Sequence, residues 1–251
     1  MDQFKKAMAS KPVVAVVAAG CGVCCAFLLV YVGLLACTLN PCTQALSAAF
    51  STADISPYSQ EALGRLALAG KEYTFDTNDL DALQDAISAE QAQLAYVAPG
   101  SERYTLDSEA ISHLDDVYAV VQLARLVALI ALALAVAGFA HLRYYGKQPL
   151  AARAMVGAGV GVLAVFAVAG AWAAVDFYGL FQAFHGLFFS AGSWVFSYDS
   201  LLICMYPENF WVGMGAIWLA TTCLLSILYV CIGAVWLRRL KNQAAKETHD
   251  H

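Results

Sequence analysis

Residues 117–140 read VYAVVQLARLVALIALALAVAGFA, twenty-four positions with a single charge, Arg125. An α-helix rises about 1.5 Å per residue, so roughly 20 residues cover the ~30 Å of hydrocarbon in a bilayer. Inside lipid every backbone N–H and C=O has to be satisfied within the segment, which makes the run a helix. Pro12–Ala36, Ala154–Val175 and Trp211–Leu237 qualify equally and carry no Asp, Glu, Lys or Arg. The chain is 61% apolar and 13% charged over 251 residues, which excludes an ordinary soluble domain. The expected fold is all-α, a polytopic membrane protein with four transmembrane helices. It has a large helical extracytoplasmic loop and a second aromatic outer segment that is interfacial or re-entrant.

Basic residues set the orientation. Lys5, Lys6 and Lys11 precede the first span, Arg143, Lys147 and Arg153 join the second to the third, and Arg238, Arg239, Lys241 and Lys246 follow the fourth. Ten of fourteen basic residues thus share one side, which the positive-inside rule makes cytoplasmic, with both termini. The domain reading follows. Residues 1–36 are the cytoplasmic N-terminus and first span, 37–112 an extracytoplasmic helical cap, and 113–175 the second and third spans with their basic link. Residues 176–210 form an outer interfacial aromatic loop, and 211–251 the fourth span and cytoplasmic tail. The start of the chain also resembles a lipoprotein signal ending in Leu34-Leu35-Ala36-Cys37, but the apolar run is about twice the usual length.

Residues 37 to 112, with Asp115 and Asp116, hold thirteen acids against Arg65, Lys71 and Arg103, a solvated acidic surface. Apolar residues recur at helical spacing in Pro57–Leu68 and Asn78–Ile87, with Thr77 or Asn78 as the cap of the second. Asp76, Asp79 and Asp81 lack the glycine and closing glutamate of a calcium loop. Cys37, Cys42 and Cys204 permit at most one disulfide, in any of three pairings, while Cys21, Cys24 and Cys25 read as buried filler. Gly157-x-x-x-Gly161 reads as a close-packing site between helices.

His113 and Asp116 stand one helical turn apart at the outer end of the second span, where a carboxylate can orient an imidazole. Arg125 is the one charge inside a span; Asp176 is its expected partner, with a lipid phosphate or the bundle interior as the alternatives. His185 opens a second outer stretch, FHGLFFSAGSWVFSYDSLLICMYPENFW over Phe184–Trp211, with Asp199 as its carboxylate. His141, His249 and His251 fall on the cytoplasmic side.

Phe184-His185-x-x-Phe188-Phe189, Trp194-x-Phe196, Asp199-x-Leu201-Leu202 and Pro207-x-x-Phe210-Trp211 resemble the signature of the bacterial Lit family, the lipoprotein intramolecular transacylases. His113-Leu114-x-Asp116-Val117 resembles that family's other motif, in the same order and spacing. The resemblance implies a membrane acyltransferase that moves the sn-2 acyl chain of a diacylglyceryl-cysteine lipoprotein to the same cysteine's α-amine, leaving a lyso-form lipoprotein. It implies a diacylated lipoprotein and membrane lipid as partners, with no nucleic acid, cofactor or metal. His113 is the expected base and later acid, oriented by Asp116, and His185 the oxyanion donor supported by Tyr178 or Tyr198. Phe184, Phe188, Phe189 and Trp194 would hold acyl chains, and Asp199 and Arg125 complete the expected substrate contacts. A shared hollow for the two imidazoles is the geometric expectation. An acyl-enzyme on Ser112, Ser190 or Ser193 lacks the Gly-x-Ser-x-Gly elbow. A non-enzymatic four-span sensor or assembly factor is the alternative class.

Overall fold

The computed structural model describes residues 2–94 and 104–247. In chain order its α-helices are α1 (Asp2–Met8), α2 (Lys11–Cys37), α3 (Asn40–Phe50), α4 (Gln60–Glu72), α5 (Leu80–Leu94), α6 (Ser108–Tyr144), α7 (Gln148–Val175), α8 (Phe177–His185), α9 (Leu201–Met205) and α10 (Glu208–Glu247). A five-residue π-helix, Tyr73–Thr77, continues α4. The four expected spans are the long apolar helices α2, α6, α7 and α10, each long and apolar enough to cross a membrane. No strand occurs among the described residues.

The chain divides into two compact units. The first comprises Met1–Leu34, Leu126–Ala171 and Leu219–His251. There the small residues face inward: Ala128, Ala131, Ala135, Ala151, Ala152 and Ala158 are buried, whereas Val16, Leu129, Leu132, Val168 and Leu228 are more than half exposed. A water-soluble bundle would show the reverse. With lipid outside, burying large apolar side chains gains little, and close backbone approach between small residues holds the helices. Gly159 shows this directly, since a methyl there would meet the Val230 side chain at 2.6 Å and the Ser226 carbonyl at 2.9 Å. Gly157 and Gly161, the expected packing pair, face open space instead. Residues two apart on a helix point about 200° apart, so the glycine between them takes the contact.

The second unit comprises Leu35–Arg125 and Trp172–Trp218. Its core gathers Tyr58, Leu63, Leu66, Leu83, Ile87, Leu114, Leu201, Met205 and Phe210. Helix α4 starts where Ser59 accepts a hydrogen bond from the Ala62 N–H. Helix α5 is capped by Asp79, whose carboxylate accepts from Ala82 N at 3.0 Å. Neither Thr77 nor Asn78 caps it; Asn78 terminates the π-helix in the left-handed region, φ 55°. A forked ion pair, Arg65 to Glu90 with one N–H···O at 2.8 Å, ties α4 to α5. Helix α3, with Pro41 in its first turn, is an additional element that periodicity did not reveal. No disulfide joins Cys37, Cys42 and Cys204, and Cys37 and Cys204 are fully buried.

Candidate functional site

Helix α6 begins at a cap in which Asp107 accepts from Ala110 N at 2.7 Å. The helix therefore starts nine residues before the apolar run, and His113 rides on this polar extension. Its side chain is buried, and Nδ1 has no hydrogen-bond partner. Two residues on, and thus on the opposite side of the helix, the Asp115 carboxylate accepts a hydrogen bond from the Tyr73 hydroxyl. Burial first, and then the bond to Asp115, pushes the Tyr73 phenol up to about 12, so it remains a donor.

Helix α8 is set by Asp176, whose carboxylate accepts from Gly179 N at 2.8 Å. Spacing by four then aligns Phe177, Phe181 and His185 along one face. Ring centroids of Phe177 and Phe181 lie 6.0 Å apart, and those of Phe181 and His185 only 3.9 Å. After α8 the chain turns back through Gly192, at φ 88°, and delivers Trp194 to within 4.7 Å of the His185 ring.

The two imidazoles meet here. Their centroids are 6.3 Å apart, with planes inclined by 27°. Phe189 touches both rings, at 5.0 Å from His113 and 5.6 Å from His185, and Phe196 closes on His113 at 5.6 Å. Burial holds the His185 pKa below its ordinary value, opposed by a hydrogen bond to the Phe181 carbonyl.

A hydrogen-bond partner assigns the tautomer of His185. Nδ1 of His185 lies 2.9 Å from the Phe181 carbonyl oxygen, which can only accept, so Nδ1 carries the proton. The neutral ring then presents a bare lone pair at Nε2. His113 differs: its buried Nδ1 has no partner in either protonation state, so Nε2 is the nitrogen left to meet a substrate, as a donor in the Nε2–H tautomer. His185 therefore offers an acceptor, and His113 in its Nε2–H form a donor, inside a wall of aromatic carbon.

The other expected residues divide. Phe189 and Trp194 join the pair, and Phe184 stands 5.8 Å from His185 with Phe188 packed 5.2 Å behind it. Asp116 does not hydrogen-bond Nδ1 of His113; its side chain points to the exposed surface. Tyr178 and Tyr198 are 55% and 71% exposed and contact neither imidazole. Asp199 is exposed and accepts from the Ser197 hydroxyl. Arg125 does not pair with Asp176, which is spent as the α8 cap. It donates through Nη2 to the Phe75 carbonyl and lies 3.3 Å from Asp76 Oδ1. Asp76 also binds Lys71 Nζ at 2.8 Å, which is the main reason its carboxyl is held below the usual range. The π-helix is thus fastened to α6 twice, at Asp115 and at Arg125. Ser193 donates to the Ser190 carbonyl in a local turn.

Sequence reasoning missed Phe181 and Tyr73, and gave Phe196 a place in a motif but no role in the site. The four-residue step from Phe181 to His185 was available as a signal; the Tyr73 contact, 42 residues distant in the chain, was not. Among the described residues no three His, Cys, Asp or Glu side chains converge on a metal site.

The sequence model of the family described as lipoprotein intramolecular transacylase Lit matches residues 76–211, just over half the chain. No curated protein matches. The membrane-integral lipoprotein intramolecular transacylase Lit of Bacillus cereus, solved in meso, superposes with a TM-score of 0.72 at 16% identity, covering 92% of this chain and 99% of that one. A form of that enzyme with one histidine replaced by arginine gives a TM-score of 0.67 at 16% identity, over 96% and 97% of the two chains. At such identity these likenesses speak for the fold. The family match runs from the π-helix through both histidines to the end of the aromatic loop, and the chain belongs to the lipoprotein intramolecular transacylase (Lit) family, membrane acyltransferases that act on lipoproteins.

Proposed function

We propose that the chain transfers the sn-2 acyl group of a diacylglyceryl-cysteine lipoprotein to the α-amine of that cysteine, with His185 as base and His113 as oxyanion donor. The amine nitrogen attacks the ester carbonyl and its proton passes to the lone pair at His185 Nε2. Negative charge gathers on the former carbonyl oxygen, which accepts from His113 Nε2–H. The C–O bond then breaks, and His185 returns the proton to the glyceryl oxygen. One N–C bond forms and one O–C bond is lost, with no net proton change. These roles exchange those expected from sequence; the observation that supports them is the Phe181 carbonyl on His185 Nδ1, which leaves Nε2 of that ring basic, with the ring centroid 6.3 Å from that of His113.

The energetics need no cofactor. Ester to amide runs downhill, and donor and acceptor belong to one molecule, for which good alignment removes on the order of 7–11 kcal/mol of barrier. A free α-amine has a pKa near 8, and an apolar hollow shifts it toward the neutral, nucleophilic form. The exposed faces of Phe184 and Phe188 suit acyl chains.

Charge supports a site on the extracytoplasmic face of the bacterial cell membrane, with both termini inside. The first unit carries ten basic residues against three acids, the second four against sixteen. Residues 37–112 and 176–210 then form the outer cap and aromatic loop.

Purified protein and a synthetic diacylated lipopeptide test this. The product has the substrate's mass, so the readout is loss of the amine's capacity for reductive methylation, with fragment ions that place an acyl group on nitrogen. An amine that stays reactive, or release of free fatty acid, ends the proposal.

A further inference from the structure

In the first unit, the junction of α6 and α7 and one face of α10 enclose a groove of about 360 Å³ that takes no part in the chemistry above. Its walls are Phe139, Met155, Tyr229 and Trp236, and one end carries Arg143 and Gln148. Phe139 and Arg143 are one helical turn apart, Tyr229 and Trp236 two turns, so apolar wall and polar end follow each other along the helices. Arg143 is exposed, and among the described residues no carboxylate pairs with it. The surrounding charge has one sign: the only acids of this unit are Asp2, Glu247 and Asp250, all within a few residues of a terminus.

We propose that this groove binds one anionic glycerophospholipid, its phosphodiester on Arg143 and Gln148 and the upper part of an acyl chain along Phe139, Met155, Tyr229 and Trp236. A guanidinium matches phosphate oxygens with two parallel N–H donors. The apolar wall selects a lipid over a soluble anion, because a free phosphate would leave those rings uncovered. Tryptophan beside a basic pocket between membrane helices is the composition that head-group sites share. The site stands or falls independently of the acyl-transfer reading.

Native mass spectrometry of the full chain in detergent tests it, titrating phosphatidylglycerol and phosphatidylcholine of identical acyl chains. One phosphatidylglycerol is expected to stay bound at activation energies that strip phosphatidylcholine. Arg143→Gln should weaken it about tenfold, the loss of a charged hydrogen-bonded contact. Arg153→Gln, which removes a cation outside the groove, should leave it unchanged, as should inorganic phosphate in excess. Equal retention of the two lipids, equal loss in both variants, or displacement by phosphate would overturn the proposal. Should Arg143→Gln melt early in phosphatidylcholine micelles, Trp236→Leu replaces it, with the same expected loss of the bound lipid; undiminished retention in that variant would overturn the proposal as well.

Discussion

Glutamine substitutions at the two histidines separate donor from acceptor. At position 185 an amide keeps the reach of the imidazole but has no basic lone pair, so proton removal from the amine is lost. General-base catalysis is worth on the order of 10²–10⁴ in rate. His185→Gln should therefore fall by about three decades, which is about 4 kcal/mol of barrier. At position 113 the job is an N–H aimed at the oxyanion, and deleting one such donor costs about 10²–10³. His113→Ala should lose that amount, while His113→Gln supplies an N–H at similar reach and should recover a large part of it. The assay is the initial rate of amine loss in a diacylated lipopeptide at about pH 8, where the nucleophile is half neutral. Melting temperatures of the variants check that each is folded. If His185→Gln keeps activity while His113→Gln is as inactive as His113→Ala, the tautomer assignment is wrong and the roles exchange.

Burial keeps His185 neutral, with a folded pKa under the ordinary ~6.5, and the substrate amine titrates near 8. A plot of log kcat/KM should therefore rise with pH at slope two below the folded His185 value, at slope one up to about 8, and then level; slope one throughout would contradict this. Between that folded value and about 6.5 the unfolded chain binds more protons than the folded one, so the melting temperature should fall on acidification through this window, and less so in His185→Gln. Asp116→Asn should change turnover only about twofold, the scale of a surface substitution worth ~0.5 kcal/mol, because Asp116 makes no hydrogen bond to His113; a hundredfold loss would restore it as the orienting carboxylate. Tyr73→Phe strips the donor from the exposed Asp115 carboxylate and should destabilise by about 0.5–1.5 kcal/mol, and Arg125→Gln, which gives up the Phe75 carbonyl and a half-exposed contact to Asp76, by a similar amount; parent-like melting of either variant would refute the double fastening. Since no disulfide joins Cys37, Cys42 and Cys204, dithiothreitol should leave the melting temperature where it is, and a drop would reveal one.

The bilayer made the spans legible, because its thickness and its intolerance of charge write a long uniform run into the chain. It did not reveal where a helix stops. Residues 117–140 mark the apolar part of α6, yet the helix starts at Ser108, since outside lipid a polar helix needs only its Asp107 cap. The two histidines were visible as imidazoles at the ends of apolar segments. That they face each other was an expectation from their common depth on the outer side, because nothing within either motif encodes a contact across 72 residues. Arg125 shows the same limit. Asp176 directly follows the third span in sequence, but a carboxylate one residue before a helix serves as its cap, and the cation found Asp76 in a distant π-helix. Gly157, Gly159 and Gly161 offered two opposite faces to a neighbour, and only the packing of α10 chose between them.

The atom that orders the protons on His185 is a peptide oxygen one turn earlier in its own helix. Every side chain around that ring, Phe181 included, is free to be exchanged without removing it. In the proposed mechanism, changes to the greasy lining would therefore leave the sense of proton flow to the backbone. Reversing that sense would take a break in the helix; an ester in place of the amide at that one linkage would only weaken the acceptor.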